Sequence, residues 1–287
     1  MKGRDQFHAA QLKAEKLLQD LGINSLPVDP FDIAKRLGIM LQPMPSTTNG
    51  ASGMLIHLNG EFGIGYPTHI DNDGFVHFSV AHEIGHYYLP GHFEAVLDEN
   101  GQHKSAAGSF NGDQFEREAD HFAAALLMPA RLFSRALRQT KNDLSGIEAL
   151  RDLCKTSIEA TAIRFTEFSK EPIAVIRSEG NIIDYAFMSP PLKDFPDLTW
   201  IKKGTPLPTG CATALFNADL NRVNNAEKDE GTSNLDLWFD GCPQEIDEEI
   251  IGLGDYGKTL TVLSGMIHPD ESDDEDKEAS VWDPRFH

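Results

Sequence analysis

In SVAHEIGHYYLPGH, Ser79 to His92, two histidines stand four residues apart, a glutamate follows the first, and a third histidine comes six residues after the second. FVHF precedes the run and Leu89-Pro90-Gly91 closes it. Proline cannot continue a helix and restricts the residue before it, so the pattern predicts a helix of roughly fifteen residues, from near Asp73 to Pro90. Residues four apart on a helix share a face. His82 and His86 are thereby aimed at one point, with Glu83 beside them.

Neutral imidazoles suit zinc, a bound zinc ion lowers the pKa of water, and a carboxylate next to that water can take its proton and later pass it to a leaving amine. This chemistry is why His-Glu-x-x-His on a helix is associated with zinc proteases. His82 and His86 are candidate metal ligands and Glu83 is the candidate general base.

The third ligand is a choice among three residues. His92 occupies the last position of HExxHxxGxxH, but that pattern needs glycine where Leu89 stands, and no separate methionine turn lies downstream. A carboxylate from a second helix is the other solution. QFEREADHFAAALLMPARLFSRAL, residues 114–137, is strongly helical with a break at Pro129. Glu116, Ala119, Asp120 and Ala123 share one face, and the two alanines let that face approach the histidine helix closely. Asp120 also has the spacing of an acid that orients a ligating histidine. Glu118 points elsewhere, so Glu116 is favoured over both Glu118 and His92. His92 is then expected to be a surface histidine with its hydrogen bonds satisfied.

Outward from this core, apolar residues recur at helical spacing from Asp5 to Leu21, and in PVDPFDIAKRLGI Asp29 can cap a second helix with Pro30 at its first position. GMLIHLNGEFGIGY reads as a hairpin turning at Asn59-Gly60. The strand from Gly53 to Leu58 is a candidate edge to which an extended peptide could add. A Gly-, Asn- and Asp-rich loop is expected from about Asp98 to Asp113. SGIEALRDLC and SIEATAIRFTEF have the rhythm of a helix-turn-helix, with Ser157 starting the second helix and Arg164 on its next face, as in a recognition helix. Beyond Pro172 the chain changes to short β-like runs: IAVIRS, NIIDYAFM and TLTVLSGMI.

Composition narrows the function classes. The 287 residues carry a formal net charge of −20. Part of it lies in a terminal run in which eight acids from Asp270 to Asp283 face only Lys277 and Arg285. A strongly negative body repels phosphate backbones, so direct DNA binding is disfavoured despite the helix-turn-helix rhythm, and a basic partner or a simply soluble surface is favoured. The acidic end reads as a solvated, disordered tail. Three widely spaced cysteines, Cys154, Cys211 and Cys242, suggest reduced thiols rather than a disulfide framework. With no long apolar segment, a cytoplasmic protein with no membrane association is expected.

VAHEIGHYYL, EREADHFAAALLMP and TSIEATAIRFTEFS, with PVDPFDIAKRLGI upstream, together resemble the ImmA/IrrE family of bacterial and phage metallopeptidases. The resemblance spans roughly residues 8–190. It implies a gluzincin-like fold in which His82, His86 and Glu116 bind zinc and Glu83 is the general base. It also implies a protein partner, since family members are typically paired with a helix-turn-helix transcriptional repressor that they cleave or inactivate under stress or during mobile-element induction. No family-wide motif matches the last hundred residues.

The expectation is an α+β protein. Residues 1–140 would form a mainly helical zincin-type catalytic domain with a small β-sheet, 141–170 a helix-turn-helix-like element, 171–268 a C-terminal α+β domain and 269–287 the acidic tail. The expected function is zinc-dependent endoproteolysis of a specific partner. Two rivals stand beside it: a metal-stabilised regulatory binding protein, of toxin–antitoxin or anti-repressor type, that acts without cutting, and a peptidase acting broadly on small peptides.

Overall fold

The structure is a computed structural model that describes residues 2–44, 52–68, 72–105, 113–241 and 243–267. The acidic run from Asp270, Cys242 and residues 106–112 of the expected loop lie outside the described residues. The chain divides into two compact units: one takes Met1–Ala136 and Ala149–Ala160, the other Leu137–Glu148 and Thr161–His287.

The first unit opens with helix α1 (Lys2–Asp20) and the short helix α2 (Pro30–Arg36). Asp29 caps α2 as expected. Its carboxylate accepts from the backbone N–H of Phe31 at 2.8 Å and of Asp32 at 3.3 Å, two donors that the first helical turn leaves without partners. Three strands follow: β1 (Met40–Met44), β2 (Gly53–Leu58) and β3 (Glu61–Pro67). The β2–β3 hairpin turns on Asn59 (φ 54°) and Gly60 (φ 83°), the pair of left-handed residues that a two-residue hairpin turn requires.

Helix α3 (Asp73–Tyr88) carries the histidine motif and begins where Asn72 accepts from the Phe75 N–H at 3.0 Å. Past Pro90 and Gly91 come helix α4 (His92–Val96) and strand β4 (Gln102–Ser105), then α5 (Gln114–Leu127) and, after Pro129, α6 (Ala130–Leu137). Two expectations are corrected here. Four residues of the presumed loop form a strand, and β2 is not an edge, because the sheet order is β1-β3-β2-β4. β2 pairs antiparallel with β3 on one side and with β4 on the other, Leu55 lying opposite both Ile64 and His103. The free edge beside β2 therefore belongs to β4.

Helix α5 packs against both α1 and α3. The contact with α3 is close because Gly85 has no side chain: a Cβ there would lie 3.2 Å from Cα of Ala119. Ala14, Ile84, Ala119, Phe122 and Leu126 are fully buried in this unit.

Helices α7 (Leu144–Cys154) and α8 (Ile158–Phe168) realise the expected helical pair, with Ser157 Oγ accepting from the Ala160 N–H at 3.1 Å. Arg164 is not free for a recognition role. It is buried, donates to Glu167 at 2.7 Å and stacks over Phe168, so its guanidinium is already engaged within the protein.

The second unit is built on a five-stranded antiparallel sheet in the order β6-β5-β9-β8-β7: β5 (Ala174–Glu179), β6 (Ile182–Met188), β7 (Lys228–Asn234), β8 (Glu245–Gly252) and β9 (Thr259–Ser264). Four short helices, α9 (Pro190–Lys193), α10 (Ala212–Asn217), α11 (Leu220–Asn224) and α12 (Leu235–Phe239), connect the strands. Ala174, Ile176, Leu192, Trp238, Phe239 and Leu263 lie in its core. The mixed α+β class read from the sequence is the class of this fold. Among the described residues, no helix is long and apolar enough to cross a membrane.

Candidate metal centre

Helices α3 and α5 bring three side chains to one point. The ligand-competent atoms of His82, His86 and Glu116 all lie within 4.8 Å of one another. The two Nε2 atoms are 3.0 Å apart. Glu116 reaches His82 Nε2 with Oε2 and His86 Nε2 with Oε1, each at 3.3 Å. Two imidazoles and a carboxylate are the donor set that zinc takes in hydrolytic sites, so these residues fit such an ion.

The next layer orients this set. His82 Nδ1 donates to Asp120 Oδ1 at 2.9 Å, which leaves Nε2 as the lone-pair nitrogen facing the cluster. Asp120 thus stands where the spacing from Glu116 placed it. The other two candidates for third ligand are not in the cluster. His92 and Glu118 pair with each other at 3.1 Å, and His92 is 1% exposed rather than on the surface. The reason is the left-handed Gly91 (φ 80°), after which α4 turns the His92 ring inward against Phe115.

Electrostatics follow from burial and crowding. For His82, burial disfavours the charged form, but hydrogen bonds to Asp120 and Glu116 and the charge of Glu83 outweigh it and raise the pKa to about 10. Burial dominates at His86, reinforced by the charge of His82, and pushes it down to about 4. The pair therefore shares one proton at neutral pH, in the place a cation would take. Glu116 is opposed by its own burial, yet hydrogen bonds from His103, His82 and His86 hold its carboxyl far below the usual carboxylate range.

Glu83 is fully buried, and among the described residues neither carboxylate oxygen has a donor in full hydrogen-bond geometry, the Ser105 side chain being the polar neighbour that favours its ionised form. Burial raises its pKa, with the charge of His82 pulling the other way. A buried carboxylate without donors is costly to keep, which is the condition expected of a group held ready for a reacting partner. Room for it comes from Gly53 on β2: a Cβ there would sit 2.5 Å from Glu83 Oε1.

Sequence reading gave neither Gly53 nor His103 a definite place at this centre. The His103 Nε2 donates to Glu116 Oε1 at 3.0 Å, and its ring lies edge-on to His86 at 4.6 Å. Neither residue carries a local signal. Each matters only through the sheet register that faces Gly53, Leu55, His103 and Ser105 toward α3.

Residues 34–166, which include the entire cluster, match the peptidase M78 family, described as the IrrE N-terminal-like domain. A solved structure described as a Mycobacterium tuberculosis transcriptional regulator is similar in fold, with a TM-score of 0.57 at 15% identity over 91% of this chain and 79% of that one. No curated protein matches the chain. The match over residues 34–166, a little under half of the chain, supports the resemblance to the ImmA/IrrE family of peptidases.

Proposed function

We propose that the protein is a zinc-dependent endopeptidase that cleaves a specific protein partner, a helix-turn-helix transcriptional repressor. The observation that carries this reading is Glu83: a fully buried carboxylate with no donor in full hydrogen-bond geometry among the described residues, beside three convergent metal-ligand side chains. Binding alone gives no reason to keep such a group. A zinc ion held by His82, His86 and Glu116 would supply a Lewis acid and lower the pKa of water.

The chain's own residues do the rest. Glu83 takes a proton from water as its oxygen bonds to the scissile carbonyl carbon, then delivers that proton to the nitrogen as the C–N bond breaks. Burial favours the protonated form of Glu83, so the carboxyl is suited to hand the proton on. Asp120 keeps His82 in the tautomer that presents Nε2. The partner's extended segment adds to the free edge of β4, which runs past the cluster at His103, so that backbone hydrogen bonds set the register of the scissile bond.

The metal part of the reading is tested by zinc content. Glu116→Ala should lose most bound zinc, while Glu118→Ala, which removes only the partner of His92, should keep it. Equal losses in the two variants would refute the ligand assignment.

A further inference from the structure

We propose that His103 is a positioning residue for the metal centre: from strand β4 it fixes the rotation of the Glu116 carboxylate, so that the third ligand is set by the sheet as well as by its own helix. The inference rests on the reading of His82, His86 and Glu116 as a metal centre, and it adds a residue that the family's motif segments do not contain.

Glu116 stands in the first turn of α5, with its side chain 22% exposed, while the two histidines it must meet are almost fully buried on α3. A glutamate side chain has three rotatable bonds, and freezing them costs conformational entropy that neighbours holding the carboxylate in place must offset. His103 is the neighbour placed to do so. Its Nε2 donates to Oε1 at 3.0 Å, shorter than either contact between Glu116 and the α3 histidines. With that bond made, the other oxygen, Oε2, is turned toward His82.

His103 is itself well held. Its backbone lies in register with Leu55 of β2, a fully buried residue, and strand alternation puts its side chain on the same face as Ser105. The Ser105 hydroxyl lies 3.2 Å from Nε2, and the His86 ring packs edge-on at 4.6 Å. Nε2 of His103 is excluded from the set of mutually close ligand atoms formed by His82, His86 and Glu116. It therefore serves as a donor to a ligand rather than as a fourth ligand. Partners of this kind typically change metal affinity 10- to 100-fold when removed.

The test is zinc affinity, measured on the full chain by competition with a chromogenic chelator, for the wild type, His103→Ala, His103→Gln, Glu116→Ala and the double variant His103→Ala/Glu116→Ala. Circular dichroism of each protein, recorded first, establishes that it is folded. His103→Ala should weaken zinc binding about 10- to 100-fold. His103→Gln, which retains an N–H on a side chain of similar reach, should recover part of the loss. On the Glu116→Ala background the His103 substitution should cost little more, because the group it positions is already gone.

Wild-type affinity in His103→Ala, or a full additive loss in the double variant, would overturn the proposal while leaving the metal centre standing. A wild type that binds no zinc, or a Glu116→Ala variant that binds it as tightly as wild type, would overturn the metal-centre reading and this proposal with it.

Discussion

His82 and His86 occupy one helix face, both meet Glu116, and yet are driven in opposite directions, to about 10 and about 4. Asp120 makes the difference, holding His82 by its outward nitrogen, whereas the corresponding nitrogen of His86 is buried without a hydrogen-bond partner among the described residues. The sign of the pH dependence follows. Both histidines must be neutral to bind a cation, but the raised pKa of His82 means that the metal-free pair holds one proton from about pH 4 to about pH 10. Zinc binding should thus release about one proton at pH 7.5, and apparent affinity should rise roughly tenfold per pH unit through the neutral range. Calorimetry in two buffers of different ionisation enthalpy reads the proton count directly. A count of zero would show that the pair is already neutral. In the metal-free protein the raised His82 favours folding below its unfolded value near 6.5, and this contribution disappears as pH rises through about 10.

At the level of elements, the site is made by two close approaches. α5 reaches α3 across Gly85 and Ala119, and β2 reaches α3 across Gly53. The second approach predicts a separation of function. In Gly53→Ala the new methyl would meet the end of the Glu83 side chain, which can swing aside, so stability and zinc content should change little. The carboxylate would no longer sit where it does, and turnover should fall by about 10²-fold or more, the usual scale for a misplaced general base. Melting temperature, zinc content and kcat measured on one preparation test this, and undiminished turnover would contradict the packing described. These two approaches also mark what the sequence showed and what it hid. The helices were legible because their apolar spacing, caps and prolines are local, and the face shared by Glu116, Ala119, Asp120 and Ala123 follows from helical period alone. β4 was hidden because QHKS is short, polar and embedded in loop-forming residues, and with it went both the true sheet edge and His103. His92 misled because, once it is set aside as a ligand, nothing local marks it as buried, while the turn at Gly91 buries it against Phe115 and Glu118.

Across the whole molecule, the site-bearing unit and the second unit were unequally legible. β5, β6 and β9 follow apolar runs, but β7 reads KDEGTSN, whose polar residues suit the exposed edge it occupies and give no alternating pattern. β8 hides Glu248 among alternating acids, and only the fold shows that this carboxylate is buried, accepting from the backbone and hydroxyl of Thr213, each at 2.6 Å. A net charge of −20 favours a basic partner over nucleic acid. The central claim, that this centre cuts a protein rather than holding one, is tested most directly by intact-mass spectrometry. A helix-turn-helix repressor encoded beside the gene would be incubated with the zinc-loaded protein and, in parallel, with Glu83→Gln. One new pair of fragments whose masses sum to the repressor plus one water, formed by the wild type and at least about 10²-fold more slowly by the variant, is the predicted result. An intact repressor bound equally by both proteins, or fragments formed equally by both, would contradict it.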